Sequence, residues 1–230
     1  MSAGKEGSVR AILYALGANF GIAVSKFGAA WWTNSGSMLA EAIHSTADCV
    51  NQLLLLLGMR EARRPESVDH PLGYHRVTYF WSMIVALLLF FMGGAFSVYE
   101  GIERLRHPHP LENGLVALLV LGVAVVLEAF SLAGAMREIR KVAHGKPFLR
   151  WFRETRESEL MVVAGEDIAA LAGLTLAFCA VAAALATGNP LWDALGTLSV
   201  GVVLMVIAVL VMIEVKGLIV GESAPPELRE

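Results

Sequence analysis

The chain has 230 residues, of which 56% are hydrophobic and only 17% are charged, and its mean hydropathy is +0.61. Soluble domains carry about a quarter charged residues, so this composition indicates a membrane protein. The formal net charge of −3 excludes a strongly basic nucleic-acid binder, and two cysteines exclude a disulfide scaffold. We therefore expect the functional residues to lie on helices inside a lipid bilayer.

Six apolar stretches follow one another along the chain, at residues 10–32, 37–60, 76–103, 111–137, 159–187 and 190–216. Each is long enough to cross the hydrocarbon core, which takes about 20 helical residues. The first stretch lacks a small-residue cleavage site, so we predict a membrane helix there rather than a signal peptide. The predicted fold is an all-α membrane protein with a bundle of six transmembrane helices.

Lysine and arginine are distributed unevenly between the loops. Fifteen of the eighteen lie at the two termini and in the loops after the second and fourth stretches, whereas Arg104 and Arg106 lie on the opposite side and Lys26 lies within the first helix. Because basic loops are retained in the cytoplasm, both termini are predicted to be cytoplasmic.

Two features of the later part of the chain bear on packing. The loop 146–156, KPFLRWFRETR, fits either a segment on the membrane surface or a linker whose Phe148, Trp151 and Phe152 pack under the bundle. The fifth stretch is rich in glycine and alanine, which let membrane helices approach closely. We therefore expect the fifth helix to be central.

The second stretch carries polar side chains on one face, in the run LAEAIHSTADCVNQ. At about 100° per residue, Glu41, His44, Asp48 and Gln52 fall within an arc of about 80°. An ionisable side chain in a bilayer costs at least about 2.5–3.5 kcal/mol on insertion scales, so each one is a candidate functional residue.

Further carboxylates lie in the later stretches: Glu128 in the fourth, Glu166 and Asp167 in the fifth, and Asp193 at the start of the sixth. They cannot all ionise unpaired beside His44, and a bound divalent cation would balance their charge. Nitrogen and oxygen ligands together suit zinc, whereas oxygen ligands alone favour magnesium, calcium or manganese. Glu128 equally fits a structural contact, and Asp193 fits a cap of its own helix.

The run TNSGSMLAEAIHSTAD, the loop DHPLGYHR and the helix end YEGIERLRHP occur in an order that resembles the cation diffusion facilitator family of zinc and related divalent metal transporters. The resemblance covers essentially the whole chain. It implies that His44 and Asp48 form the half of a transport site on the second helix, and that Asp167 is the second acidic residue of a motif on the fifth. The residue four before Asp167, commonly a metal ligand in the family, is Val163 here.

The pair Glu166 and Asp167, followed by IAALAG, resembles a divergent branch of the family that includes transporters of the zinc transporter nine type. The resemblance makes Glu166 the first candidate to replace the missing ligand at Val163. Glu166 points about 100° away from Asp167, so Glu41, Glu128 or a water molecule are alternatives.

Two groups of loop residues are weaker candidates. The loop with Asp69, His70 and His75 resembles the place of a second, cytoplasmic metal site in some family members, although HPLG also simply makes a turn. His107 and His109 lie in an outer loop and are more typical of an ordinary loop than of a site that gathers ions.

By the resemblance, residues 1–218 form the transport domain, and residues 219–230 begin the connection to a C-terminal cytoplasmic domain that this chain does not contain. The expected function is a secondary transporter, not an enzyme, which exports Zn²⁺ from the cytoplasm in exchange for protons by alternating access. A histidine has an ordinary pKa near 6.5 and binds metal only when neutral, so His44 would couple the two. Mn²⁺, Fe²⁺ and Co²⁺ accept the same ligands.

The expected setting is a homodimer in a lipid bilayer, the bacterial inner (plasma) membrane, with no nucleic-acid partner. Two alternatives remain open. One is a membrane scaffold whose polar residues serve only helix packing. The other is an intramembrane metalloenzyme, against which stands the absence of an HExxH motif.

Overall fold

A computed structural model describes residues 3–71, 73–108, 113–143, 145–155 and 158–221. Six long helices and one short helix, with no strand, account for the regular structure in these ranges. They are α1 (Ala3–Thr33), α2 (Gly36–Glu61), α3 (Val77–Arg106), α4 (Gly114–Val142), α5 (Phe148–Glu154), α6 (Ser158–Thr187) and α7 (Leu191–Val220). Each of the six long helices overlaps one of the six predicted stretches, although several ends differ by three to seven residues. The fifth and sixth stretches correspond to α6 and α7.

Four helices in the described part of the chain are long and apolar enough to cross a membrane: α3, residues Gly114–Arg137 of α4, residues Leu160–Thr187 of α6, and α7. The prediction of an all-α membrane protein is confirmed. At 31 and 26 residues, α1 and α2 have the length to cross about 30 Å of hydrocarbon. Their crossing, and the cytoplasmic location of both termini, stay predictions.

The centre of the bundle is formed by α6 together with α2 and α7. α6 packs along α7 and α4 and also contacts α2 and α3, while α1 packs along α2. Small residues make these approaches possible: a Cβ added at Gly165 would lie 2.8 Å from Val211 Cγ2, and one at Gly173 would lie 2.9 Å from Glu41 Oε1. The predicted central position of this helix is confirmed.

Glycines also bring α3 and α7 into backbone contact. A Cβ added at Gly101 would lie 2.7 Å from the amide nitrogen of Leu198, and one at Gly201 would lie 2.6 Å from the amide nitrogen of Val98. At Gly94 the main chain of α7 is also near, since a Cβ added there would lie 3.0 Å from Met205 N. Any side chain at these positions would push the two helices apart.

The middle of α3 is a π-helical segment, Leu89–Ala95, with α-helix before and after it. Such wider turns are rare, and they occur frequently at functional sites. A Cβ added at Gly93 in this segment would lie 3.2 Å from Leu204 Cδ1 and 3.5 Å from His44 Nδ1. The π-helical segment therefore lies directly beside the polar face of α2.

The short helix α5 packs under the bundle. Trp151 is only 4% exposed, and it lies in one apolar cluster with Ile139 of α4 and Ala164 of α6, against which Phe148 and Phe152 also pack. Of the two interpretations of this segment, the packed linker is therefore the one that the contacts support.

Two features predicted from the sequence lie outside the described residues. They are His109 and the last nine residues, 222–230, which make up most of the expected connection after α7.

Candidate metal site

A tight turn between α1 and α2 sets the position of the polar residues. Asn34 has a left-handed φ of 51°, and the next residue, Ser35, caps α2 by accepting a hydrogen bond from Met38 N at 3.2 Å. Asn adopts this conformation more readily than most residues, because a short polar side chain can hydrogen-bond locally. The turn folds α2 back along α1, so polar groups on the two helices face each other.

The polar face of α2 lies inside the bundle. Glu41 and His44 are completely or almost completely buried, and His44 Nδ1 lies 3.7 Å from Asp48 Oδ1, one helical turn further on. The separation of four residues places both groups on one face, as the sequence predicts. His44 and Asp48 are thus brought together.

Among the described residues, every buried side-chain nitrogen or oxygen without a hydrogen bond belongs to α2. These atoms are Glu41 Oε1, both ring nitrogens of His44, Asp48 Oδ1, the two amide atoms of Asn51, and Gln52 Oε1. The large majority of buried side-chain polar atoms normally have a partner, because leaving one unpaired costs about 1–3 kcal/mol. A row of such atoms along a single helix face is therefore typical of a ligand-binding surface.

Glu166 of α6 faces this surface. It is 8% exposed, and its carboxyl group interacts with that of Asp48 and lies beside Asn51. The amide of Asn51 makes no hydrogen bond of normal geometry to it or to any other described residue. Two carboxyl groups facing each other in a buried site repel unless a proton or a metal ion lies between them.

Asp167 points toward a different helix. Its Oδ2 accepts a hydrogen bond from Ser131 Oγ of α4 at 3.5 Å, and it interacts electrostatically with Glu128, also on α4. A step of about 100° along α6 separates it from Glu166, which explains why two adjacent residues reach different neighbours. Glu166, not Asp167, is the α6 carboxyl group opposite Asp48.

The position of the missing ligand and one of its candidate replacements both make other contacts. Val163 packs in an apolar cluster with Leu55 and Val85. Glu41 forms an ion pair with Lys26 of α1, in which Lys26 Nζ donates a hydrogen bond to Glu41 Oε2 at 3.2 Å.

Lys26 is the residue that sequence reasoning missed. It is 3% exposed, and besides Glu41 it donates to Ser45 Oγ at 2.8 Å. The signal that could have revealed it is a lone lysine in an apolar helix, because a buried charge needs a partner of opposite sign and α2 supplies one.

No three His, Cys, Asp or Glu side chains of the described residues are grouped closely enough to hold one metal ion. His44, Asp48 and Glu166 lie on the facing surfaces of α2 and α6, with Asp167 turned toward α4. The set of His44, Asp48, Asp167 and Glu166 as metal ligands stays a prediction.

Asp193 belongs to a separate cluster at the beginning of α2. Its carboxylate accepts hydrogen bonds from Ser35 Oγ at 2.9 Å and from Gly36 N at 2.8 Å, and it lies 3.9 Å from Arg104 Nη1. The sequence leaves open an ion ligand or a cap of its own helix. Asp193 instead caps α2 and joins the first turns of α2 and α7 to the end of α3.

The loop before α3 is an exposed turn. His70 Nδ1 lies 3.1 Å from the hydroxyl of Tyr74, and the two rings stack with centroids 4.5 Å apart. Gly73 provides a positive φ of 72°. The turn that HPLG predicts is present, and a second metal site at Asp69, His70 and His75 stays a prediction.

Apolar helices that enclose facing ionisable groups are typical of membrane proteins that move ions, since such groups are expensive in a bilayer and often mark ion pathways. Residues 12–219 match the family described as the cation efflux transmembrane domain. The chain belongs to this family and is a membrane transport domain rather than an enzyme.

Named relatives agree with this assignment. The chain is 38% identical over 201 residues to the proton-coupled zinc antiporter SLC30A9, mitochondrial, of Xenopus laevis, which covers 86% of the chain and 36% of that relative. It is 33% identical over 219 residues to metal tolerance protein C4 of Arabidopsis thaliana, covering 94% and 48%. It is 30% identical over 129 residues to the zinc transporter ZitB of Escherichia coli, covering 56% and 41%.

The matches include the branch of the zinc transporter nine type that the sequence resembles. The chain spans about a third to a half of the length of these relatives.

Proposed function

We propose that this chain is the membrane part of a proton-coupled antiporter that exports divalent metal, with Zn²⁺ as its main substrate, from the cytoplasm. The observation that carries the proposal is the row of buried, unpaired polar atoms on α2 that faces Glu166. The names of the relatives support the substrate and the coupling, since one is called a proton-coupled zinc antiporter and another a zinc transporter.

In the proposed site, His44, Asp48 and Glu166 are the leading ligands and Asp167 is the fourth. An imidazole nitrogen with carboxylate oxygens suits Zn²⁺, and Mn²⁺, Fe²⁺ and Co²⁺ are secondary candidates because they accept the same ligands. Glu166 precedes Asp167 in this order because its carboxyl group already faces Asp48, whereas Asp167 faces Ser131.

Coupling follows from competition for the same lone pairs. The ring nitrogens of His44 and the oxygens of Asp48 and Glu166 each bind either a proton or a metal ion, so metal entry releases protons. If the helices expose this group to each side of the membrane in turn, the two bound forms cross in opposite directions.

We also propose six membrane crossings with both termini in the cytoplasm, a homodimer, and the bacterial inner membrane as the location. The loop distribution of lysine and arginine supports the orientation. Cysteine labelling of loops in intact cells tests the orientation, and membrane fractionation tests the location. Light scattering of the purified protein tests the dimer.

Zinc uptake into proteoliposomes with an imposed pH gradient tests the function. We expect uptake by the wild type to depend on the gradient, and His44→Ala to lower it by roughly 100-fold, as loss of a ligand should. Glu66→Gln removes an exposed loop carboxylate and serves as the control with unchanged uptake.

Metal analysis of the purified protein separates this proposal from the scaffold alternative. The antiporter binds zinc in proportion to protein, and His44→Ala loses it. Wild-type protein that is folded and binds no zinc would contradict the proposed function.

A further inference from the structure

The buried pair of Lys26 and Glu41 is a charged contact that the proposed transport site does not use. Lys26 Nζ lies 3.2 Å from Glu41 Oε2 and 2.8 Å from Ser45 Oγ, and the two charged side chains are 4% and 0% exposed. Glu41 lies on the same face of α2 as His44, and Ser45 is the residue next to His44. The pair therefore borders the proposed metal ligands directly.

The pair also lies within the electrostatic field of the proposed site. Lys26 interacts electrostatically with His44, Asp48 and Glu128 as well as with Glu41. In a surrounding of low dielectric constant, one unit charge beside a binding site changes the affinity of that site for a divalent cation substantially. The positive charge on Lys26 therefore repels any cation held between α2 and α6.

Glu41 would be a strong additional ligand if it were free. Its Oε1 has no hydrogen bond among the described residues and lies against Gly173 of α6, where a Cβ would be 2.9 Å away. Only the contact of its other oxygen with Lys26 offsets its charge in the described structure.

We propose that Lys26 is a positioning residue that acts as a built-in counter-cation: by pairing with Glu41, it keeps that carboxylate out of the metal site and sets the site's affinity. This inference rests on the proposed transport function. The ion pair cancels the charge of Glu41 beside the proposed ligands His44, Asp48, Glu166 and Asp167. Without Lys26, Glu41 would add one negative charge to this group, and the ion would be held too tightly to leave.

The charge argument predicts effects of opposite sign for the two partners. Lys26→Met is expected to tighten zinc binding roughly tenfold and to lower the maximal transport rate, because release requires weak binding. Glu41→Gln leaves Lys26 unpaired near the site and is expected to weaken zinc binding roughly tenfold. In the double variant both charges are gone, so its Kd for zinc returns to within about threefold of the wild type.

The experiment measures zinc binding to the full purified chain by equilibrium dialysis, together with uptake into proteoliposomes, for the wild type, the two single variants, the double variant and Lys26→Arg. Lys26→Arg keeps the positive charge and is expected to resemble the wild type. A purely structural pair would instead weaken binding in both single variants, and this result would overturn the proposal. Should Lys26→Met fail to fold, the comparison of Glu41→Gln with the double variant decides, since equal Kd values for these two contradict it.

The outcome is distinguishable from failure of the proposed function. If wild-type protein binds no zinc, the transport function and this inference both fail. If the wild type binds zinc and His44→Ala does not, but the charge variants shift Kd in the same direction, only the role of Lys26 fails.

Discussion

Two buried polar clusters lie along α2, one at its beginning and one at its middle, and they differ in how completely their atoms are paired. At the beginning, Asp193 accepts hydrogen bonds from Ser35 and Gly36 and faces Arg104. In the middle, both ring nitrogens of His44 and one oxygen of Asp48 have no hydrogen bond among the described residues.

Structural and functional polar groups of a membrane bundle therefore differ in how completely they are hydrogen-bonded. Burial of each of these groups costs desolvation free energy, and only hydrogen bonds or ion pairs within the protein offset this cost. The paired cluster stabilises the fold by itself. The unpaired cluster is costly as it stands, and it becomes favourable when a cation enters.

The largest effect is expected for Asp48→Asn in the unpaired cluster. We expect zinc transport to fall by roughly 100-fold or more, because a ligand charge is lost. The free energy of unfolding should rise by about 1 kcal/mol, because repulsion with Glu166 disappears. Uptake assays and chemical denaturation in detergent measure both quantities. A variant that loses stability and transport together would show that Asp48 is structural.

A second test compares the two adjacent carboxylates of α6. Glu166→Gln is expected to reduce zinc transport by roughly 100-fold and Asp167→Asn by roughly tenfold, because only Glu166 faces Asp48. Each variant is the control for the other, since both remove one charge from the same helix turn. A larger loss in Asp167→Asn would reverse the assignment of the leading ligand.

The paired cluster gives the converse prediction. Asp193→Asn is expected to lower the free energy of unfolding by about 1–3 kcal/mol, because Arg104 and the first turn of α2 lose a charged acceptor. The Kd for zinc of the folded variant should stay within about twofold of the wild type. A large change in Kd without a change in stability would instead place Asp193 in the ion pathway.

The smallest effect is expected outside the membrane helices, at α5. Hydrogen bonds donated by Lys146 and Arg150, each 2.8 Å long, hold the pKa of Glu154 below its ordinary value. A carboxylate whose pKa is lowered by folding stabilises the fold above its unfolded pKa, and this stabilisation is lost as the pH falls through the folded pKa.

Glu154→Gln should therefore lower the hydrogen-exchange protection of α5 slightly at pH 7. At a pH below the folded pKa, variant and wild type should agree. A difference that grows on acidification would contradict the role of the two hydrogen bonds.

The sequence predicts the features that depend on one helix at a time. The approximate positions of the six long helices follow from apolar length, and the proximity of His44 and Asp48 follows from a spacing of four residues. The divergence of Glu166 and Asp167 follows from the helical step of about 100°.

The features that depend on two or more helices are not predictable from the sequence alone. The contact of Lys26 with Glu41 requires the turn at Asn34 to align α1 with α2. The pattern of apolar residues within each helix does not specify how the two helices align. For the same reason the sequence suggests Asp193 as a cap of its own helix, whereas the folded chain brings it to the first turn of α2. The π-helical segment also has no sequence signature other than the two consecutive glycines, Gly93 and Gly94, within it.

The glycines between α3 and α7 have a mechanical consequence. Where Gly101 and Gly201 bring the two main chains into contact, neither helix can turn about its own axis without driving a side chain into its neighbour's backbone. We therefore expect α3 and α7 to move together as one rigid unit. Opening and closing of the bundle would then occur where Gly93 of α3 contacts His44. The helix contact that moves would be the one beside the proposed metal ligands.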